Sequence, residues 1–211
     1  MSVAANSTAI ILLPGAYMKP EQFRSAGFEQ ALAAAGHDAT LLLPALELEQ
    51  LTAADALTAL QQNVIAPARA AYRRLWLGGI SLGGFFALAH AADQESHGCP
   101  AGQVDGLCLL APYPGSRITA AAIDAAGGLP HWQPTAEELA DPEFRVWHWL
   151  RTPPAGLPLF YGYGREDRFA PGMAKLAAAL PEDAIHTRPG GHDWPVWSAL
   201  WADFLAGPWL A

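Results

Sequence analysis

Residues 75–89 read Leu75-Trp76-Leu77-Gly78-Gly79-Ile80-Ser81-Leu82-Gly83-Gly84-Phe85-Phe86-Ala87-Leu88-Ala89. An apolar run, Arg74 to Gly78, has the length and composition of a buried strand. A second apolar run, from Ser81 to Ala92, has the length of a helix. Between them Gly79-Ile80-Ser81-Leu82-Gly83 forms a G-x-S-x-G, the pattern of a sharp strand-to-helix turn with serine at its apex. Such a turn forces chain segments together, so residues without a Cβ are needed around it, and Gly79, Gly83 and Gly84 supply them. The turn places Ser81 at the carboxyl edge of a sheet and at a helix N-terminus, where negative charge is favoured.

Working outward, apolar runs continue to alternate with helical patterns, the signature of a parallel α/β sheet. Strands are expected at Thr8 to Leu13, Asp38 to Leu43, Arg74 to Gly78, Gly106 to Ala111, Leu157 to Tyr163 and Ala184 to Arg188. Helices are expected at about Pro20 to Ala35, stopped by Gly36, and at Leu51 to Tyr72, with a break before Pro67. Two more are expected at Met173 to Leu180 and Trp194 to Leu205. The fold class is therefore α/β: a mostly parallel sheet of about six strands with helices on both faces, in one domain over residues 1–211. Pro114 to Pro154 breaks the alternation, because ~40 residues are too many for an ordinary connection. It contains Trp132, Phe144, Trp147 and Trp149, and reads as a small helical insertion before the fifth strand, or as a crossover helix with long loops.

The composition removes several classes of function. A chain of 211 residues, 52% hydrophobic and 15% charged, can bury a full core and is not disordered. A net charge of -8 argues against nucleic acid and anionic membrane surfaces as partners. Cys99 and Cys108 do not make a disulfide framework or a metal-ligand pair, and Cys108 sits in an apolar run. The opening MSVAANSTAIILLPG has no positive region and only a short apolar run, so it does not read as a signal peptide. No run is long enough to span a bilayer, and the expectation is a cytoplasmic protein. His186, His192 and Asp193 lie close in sequence but match no zinc spacing, so no metal is expected.

A serine hydroxyl needs a base within hydrogen-bond reach, and the base needs an orienting partner. Of seven histidines, His192 stands out in Pro189-Gly190-Gly191-His192-Asp193-Trp194, a glycine loop just after the last expected strand. The loop Gly164-Arg165-Glu166-Asp167-Arg168-Phe169 follows the fifth strand and offers two acids, Asp167 and Glu166. A developing oxyanion needs N–H donors. Leu82, the residue after the serine, can supply one. The loop Pro14-Gly15-Ala16-Tyr17 after the first strand can supply the other, from Ala16 or else Tyr17.

Taken together, these parts resemble the α/β-hydrolase fold family over nearly the whole chain, and are most similar to its small cytoplasmic carboxylesterases and thioesterases. The chain order Ser81, Asp167, His192 is that family's order. Its acid commonly sits in a G-x-x-D pattern, which Gly164 to Asp167 matches, so the resemblance selects Asp167 over Glu166. Gly191-His192 fits the family's histidine loop. The family's oxyanion loop commonly reads H-G-x, and here Pro14 replaces the histidine. The resemblance implies a cofactor-free serine hydrolase acting on a small-molecule acyl ester or thioester. Amide hydrolysis, acyl transfer and cofactor-free peroxidation are open to the same triad, and a hydrolase scaffold used as a binding module is the alternative of another class. Tyr17, Trp132 and Trp147 are candidate pocket residues; the tryptophans equally suit packing of the insertion onto the sheet.

Overall fold

The strands form where β-branched and aliphatic residues run together with no polar alternation. All six positions of β1 (Thr8–Leu13) and all five of β4 (Gly106–Leu110) are buried. Strands buried on both faces belong to a parallel sheet covered by helices. The computed structural model, which describes residues 7–97, 104–152 and 156–210, has that sheet. With β2 (Ala39–Leu42), β3 (Arg74–Ile80), β5 (Leu159–Gly164) and β6 (Ile185–Arg188) it has the order β2-β1-β3-β4-β5-β6, and every pairing is parallel. Partial burial is confined to the edges, β2 and β6, and to isolated strand-end positions.

One face is covered by α1 (Pro20–Ser25), α2 (Phe28–Ala35) and α9 (Trp194–Ala206). Phe28 stacks on Trp201 at 5.4 Å, and the Trp201 indole N–H donates to the Phe28 carbonyl. Trp201 stacks on Phe204, which meets Trp76 of β3 and Phe160 of β5 edge-on. Truncating a buried ring of this kind costs about 3–5 kcal/mol. The column therefore anchors α9, and with it the loop that carries His192. On the other face α5 (Leu82–His97) packs on β1, β3 and β4, flanked by α3 (Ala53–Leu60) and α7 (Pro142–Trp149). α8 (Ala170–Ala177) packs on β5, where the Tyr161 hydroxyl donates to the Met173 carbonyl.

Two helices differ from expectation. The segment Pro20 to Ala35 is two helices, because Gly27 takes φ +84°, ends α1 and restarts the chain as α2. The break expected before Pro67 does not occur. α3 continues through a π turn, Gln61–Ile65, into α4 (Ala66–Ala71). Proline lacks the N–H and crowds the carbonyl four residues back, and a widened turn absorbs both effects without ending the helix. In the stretch 114–154, α7 lies against α5 and serves as the crossover from β4 to β5, while α6 (Arg117–Ala125) is the addition. Cys108 is buried in β4, and Cys99 lies outside the described residues. Among the described residues, no helix is long and apolar enough to cross a membrane.

Candidate active site

Three non-glycine residues among those described have positive φ: Tyr17 (+59°), Ser81 (+54°) and Ala111 (+47°). They follow β1, β3 and β4, three adjacent strands, at the carboxyl edge of the sheet. Ligands of open α/β sheets bind at that edge, and backbone strain of this kind collects at functional sites. The left-handed region costs an L-residue about 1–2 kcal/mol. At Ser81 it is held by three hydrogen bonds. The Ser81 N–H donates to the Leu110 carbonyl at 3.1 Å, and its own carbonyl accepts from Phe85 (3.1 Å) and Tyr113 (2.8 Å). The turn also depends on Gly83, where a Cβ would lie 2.3 Å from the Leu13 carbonyl oxygen. α5 starts at Leu82, so the Leu82 N–H is among the helix amides with no intrahelical acceptor.

The loop after β1 lies against this turn. A Cβ on Gly15 would sit 3.5 Å from Ser81 Cβ, and the Met18 N–H closes a turn onto the Gly15 carbonyl at 3.1 Å. Ala16 and Tyr17 form the tip of that turn, and Tyr17 is 83% exposed. Both candidate oxyanion donors, Ala16 and Leu82, are thus on segments that touch at the serine.

Asp167 and His192 are brought together directly. His192 Nδ1 lies 2.5 Å from Asp167 Oδ2, with side chains 12% and 0% exposed. The other oxygen, Oδ1, accepts the Phe169 N–H at 2.8 Å. A carboxylate only accepts, so Nδ1 is the donor in this pair, and in the neutral imidazole that tautomer leaves the lone pair on Nε2. Edge-on contacts with Phe169 (5.3 Å) and Trp197 (5.1 Å) hold the imidazole plane. Ser81 is tied to the same cluster, because Tyr113, which donates to it, meets Phe169 edge-on at 5.7 Å. Glu166 has a different task. Its carboxylate accepts the Gly190 N–H, its own N–H donates to the Gly190 carbonyl, and the Arg165 N–H donates to the Arg188 carbonyl. Asp193 caps α9 through the Val196 N–H. His186 stacks on Phe160.

The sequence reading did not single out Tyr113, Phe169 or Trp197. Tyr113 lies three residues beyond the end of β4, so the carboxyl-edge rule points to it. Burial, and then the charge of Glu143, push its phenol pKa up. Tyr113 and Phe169 wall a cavity of about 540 Å³ together with Ser116, Trp147 and three basic side chains. An adjoining cavity of about 700 Å³ lies between α6, α7 and α8 and also meets Trp147. Trp132 packs against Phe144 in the same stretch.

No protein-family model matches the chain, and no curated protein matches it by sequence. Solved structures do match. The fluorophosphonate-binding serine hydrolase F of Staphylococcus aureus aligns with a TM-score of 0.67 at 11% identity, over 97% of this chain and 84% of that one. A ferulic acid esterase aligns with a TM-score of 0.60 at 13% identity, over 93% and 83%. Carboxyl esterase 2 of the fungus Tuber melanosporum aligns with a TM-score of 0.58 at 14% identity, over 95% and 75%. Sheet order, strand-to-helix serine turn and these alignments agree: the chain has the α/β-hydrolase fold.

Proposed function

We propose that the protein is a serine hydrolase that cleaves a carboxylic ester or thioester of a small molecule through an acyl-enzyme. Ser81 is the nucleophile, His192 the base and Asp167 its orienting partner. The observation that carries this is the buried Asp167–His192 hydrogen bond at the sheet edge where Ser81 occupies a strained turn. The reaction starts when His192 Nε2 removes the Ser81 hydroxyl proton as Oγ attacks the acyl carbon. The oxyanion rests on the Leu82 and Ala16 N–H groups. His192 then gives the proton to the departing alcohol or thiol, and the carbonyl re-forms as the acyl-enzyme. Water, deprotonated by His192, releases the acid and restores Ser81. Asp167 keeps the ring tautomer fixed and stabilises the imidazolium in both halves.

Fluorophosphonate labelling tests the assignment, since one of the similar structures binds that reagent. Wild type should gain a single adduct by intact mass, and folded Ser81→Ala none. An unlabelled, folded wild-type protein would reverse the assignment in favour of a non-catalytic binding module. An adduct retained by Ser81→Ala would place the nucleophile elsewhere.

A further inference from the structure

The chain carries 20 acidic and 12 basic residues, yet three of those 12 cations line one cavity. Arg117, Arg168 and Lys175 all border the 540 Å³ space walled by Tyr113 and Phe169, and no carboxylate lines it among the described residues. Lys175 is paired with Asp124, which faces the adjoining cavity. Arg117 and Arg168 form no ion pair or hydrogen bond among the described residues. Glu143 lies behind the wall, its carboxylate engaged by the Ser116 N–H and hydroxyl. Two guanidinium groups with no carboxylate partner among the described residues therefore border a concave space in a protein whose net charge is -8.

Arg168 is also aimed. Its guanidinium carbon lies 4.7 Å from the centre of the Phe169 ring, and that ring meets the His192 imidazole at 5.3 Å. One aromatic ring thus separates the cation from the base. Phe169 is shared between the two: it lines the cavity and holds the imidazole. Guanidinium forks recognise carboxylate and phosphate in two-point contacts.

We infer that the substrate of this site carries an anionic oxyacid group, carboxylate or phosphate, seated on Arg117 and Arg168 with Lys175 adding charge. The inference rests on the hydrolase reading above. The test compares kcat/KM for p-nitrophenyl hemiglutarate with that for its methyl-capped neutral diester. Wild type should prefer the anion by on the order of tenfold, an advantage that shrinks with added salt. Arg117→Gln and Arg168→Gln should each reduce the preference by about 3- to 10-fold, mainly through KM of the anion. The ratio matters because any disturbance of Phe169 and His192 would slow both substrates equally. A wild-type ratio near one, or a ratio unmoved by both substitutions, overturns the inference even if both esters are cleaved. Calorimetric titration of free glutarate and of inorganic phosphate reads the cation pair without catalysis, and so keeps the two readings separate. Binding of either anion that is lost in the double variant supports the site, and the tighter one identifies the group. Binding of neither overturns it, whether or not fluorophosphonate labels Ser81.

Discussion

Replacing Asp167 by asparagine changes two atoms' chemistry and almost nothing of the shape. The aspartate accepts two donors, the Phe169 N–H at 2.8 Å and His192 Nδ1–H at 2.5 Å. An amide offers one oxygen and one NH2. If the oxygen keeps Phe169, the NH2 faces His192 and makes Nδ1 the acceptor. The ring proton then sits on Nε2, and the nitrogen that must take the serine proton already holds one. If the amide flips, its NH2 opposes the Phe169 N–H where the side chain is 0% exposed. A buried donor left unpaired costs about 1–3 kcal/mol. Loss of the carboxylate charge removes roughly another 1–1.5 kcal/mol, the difference between charged and neutral hydrogen bonds. At 1.4 kcal/mol per tenfold the sum is a fall in kcat of about 30- to 10³-fold, and the same change in a protease triad costs about 10⁴-fold. Steady-state hydrolysis of an activated ester measures this, with thermal melting to show that the fold is kept. A kcat within about threefold of wild type would refute the orienting role. So would a larger loss in Glu166→Gln, whose carboxylate is committed to the Gly190 N–H.

Two further substitutions probe strain and burial. Tyr17→Gly removes a side chain that is 83% exposed from a position at φ +59°. Relief of about 1–2 kcal/mol should outweigh the ~0.5–1 kcal/mol entropy penalty of glycine, so urea denaturation should show stability unchanged or slightly raised; a loss above about 1 kcal/mol would mean that the ring is anchored. Tyr161 is buried, and its phenol pKa is pushed well above the usual value by burial, then by the neighbouring Tyr163 and Asp167 charges. The folded state therefore holds a proton that the unfolded chain gives up. Stability from this group is full below about pH 10 and falls as pH rises above it. Tyr161→Phe should flatten the alkaline fall in melting temperature while lowering stability at neutral pH through the lost bond to Met173. An equally steep alkaline fall in the variant would assign the effect to other groups.

The strands were legible because a covered parallel sheet leaves unbroken aliphatic runs, and the serine turn because its glycines stand at positions where a Cβ would strike backbone. The acid loop placed two carboxylates side by side, and only tertiary structure separates their tasks: Asp167 turns inward to His192, and Glu166 turns to the neighbouring loop. Gly27 gives no clear break signal in the sequence, because glycine within a helical pattern is tolerated. Pro67 signals a break that does not form, because helical periodicity does not reveal a π turn that can absorb proline. Phe169 and Trp197 are ordinary apolar residues in sequence. Their relation to His192 exists only once β5 and α9 are packed.

The bonds from Arg165 to Arg188 and between Glu166 and Gly190 join the loop bearing Asp167 to the loop bearing His192. Parting the two loops breaks all three bonds together, so the amides of Arg165, Glu166 and Gly190 are expected to exchange their hydrogens through one shared opening. Asp167 and His192 are then expected to belong to one cooperative unit. Loosening either loop dismantles the pair as a whole, and protection of a few backbone amides reports on the integrity of the site without any substrate.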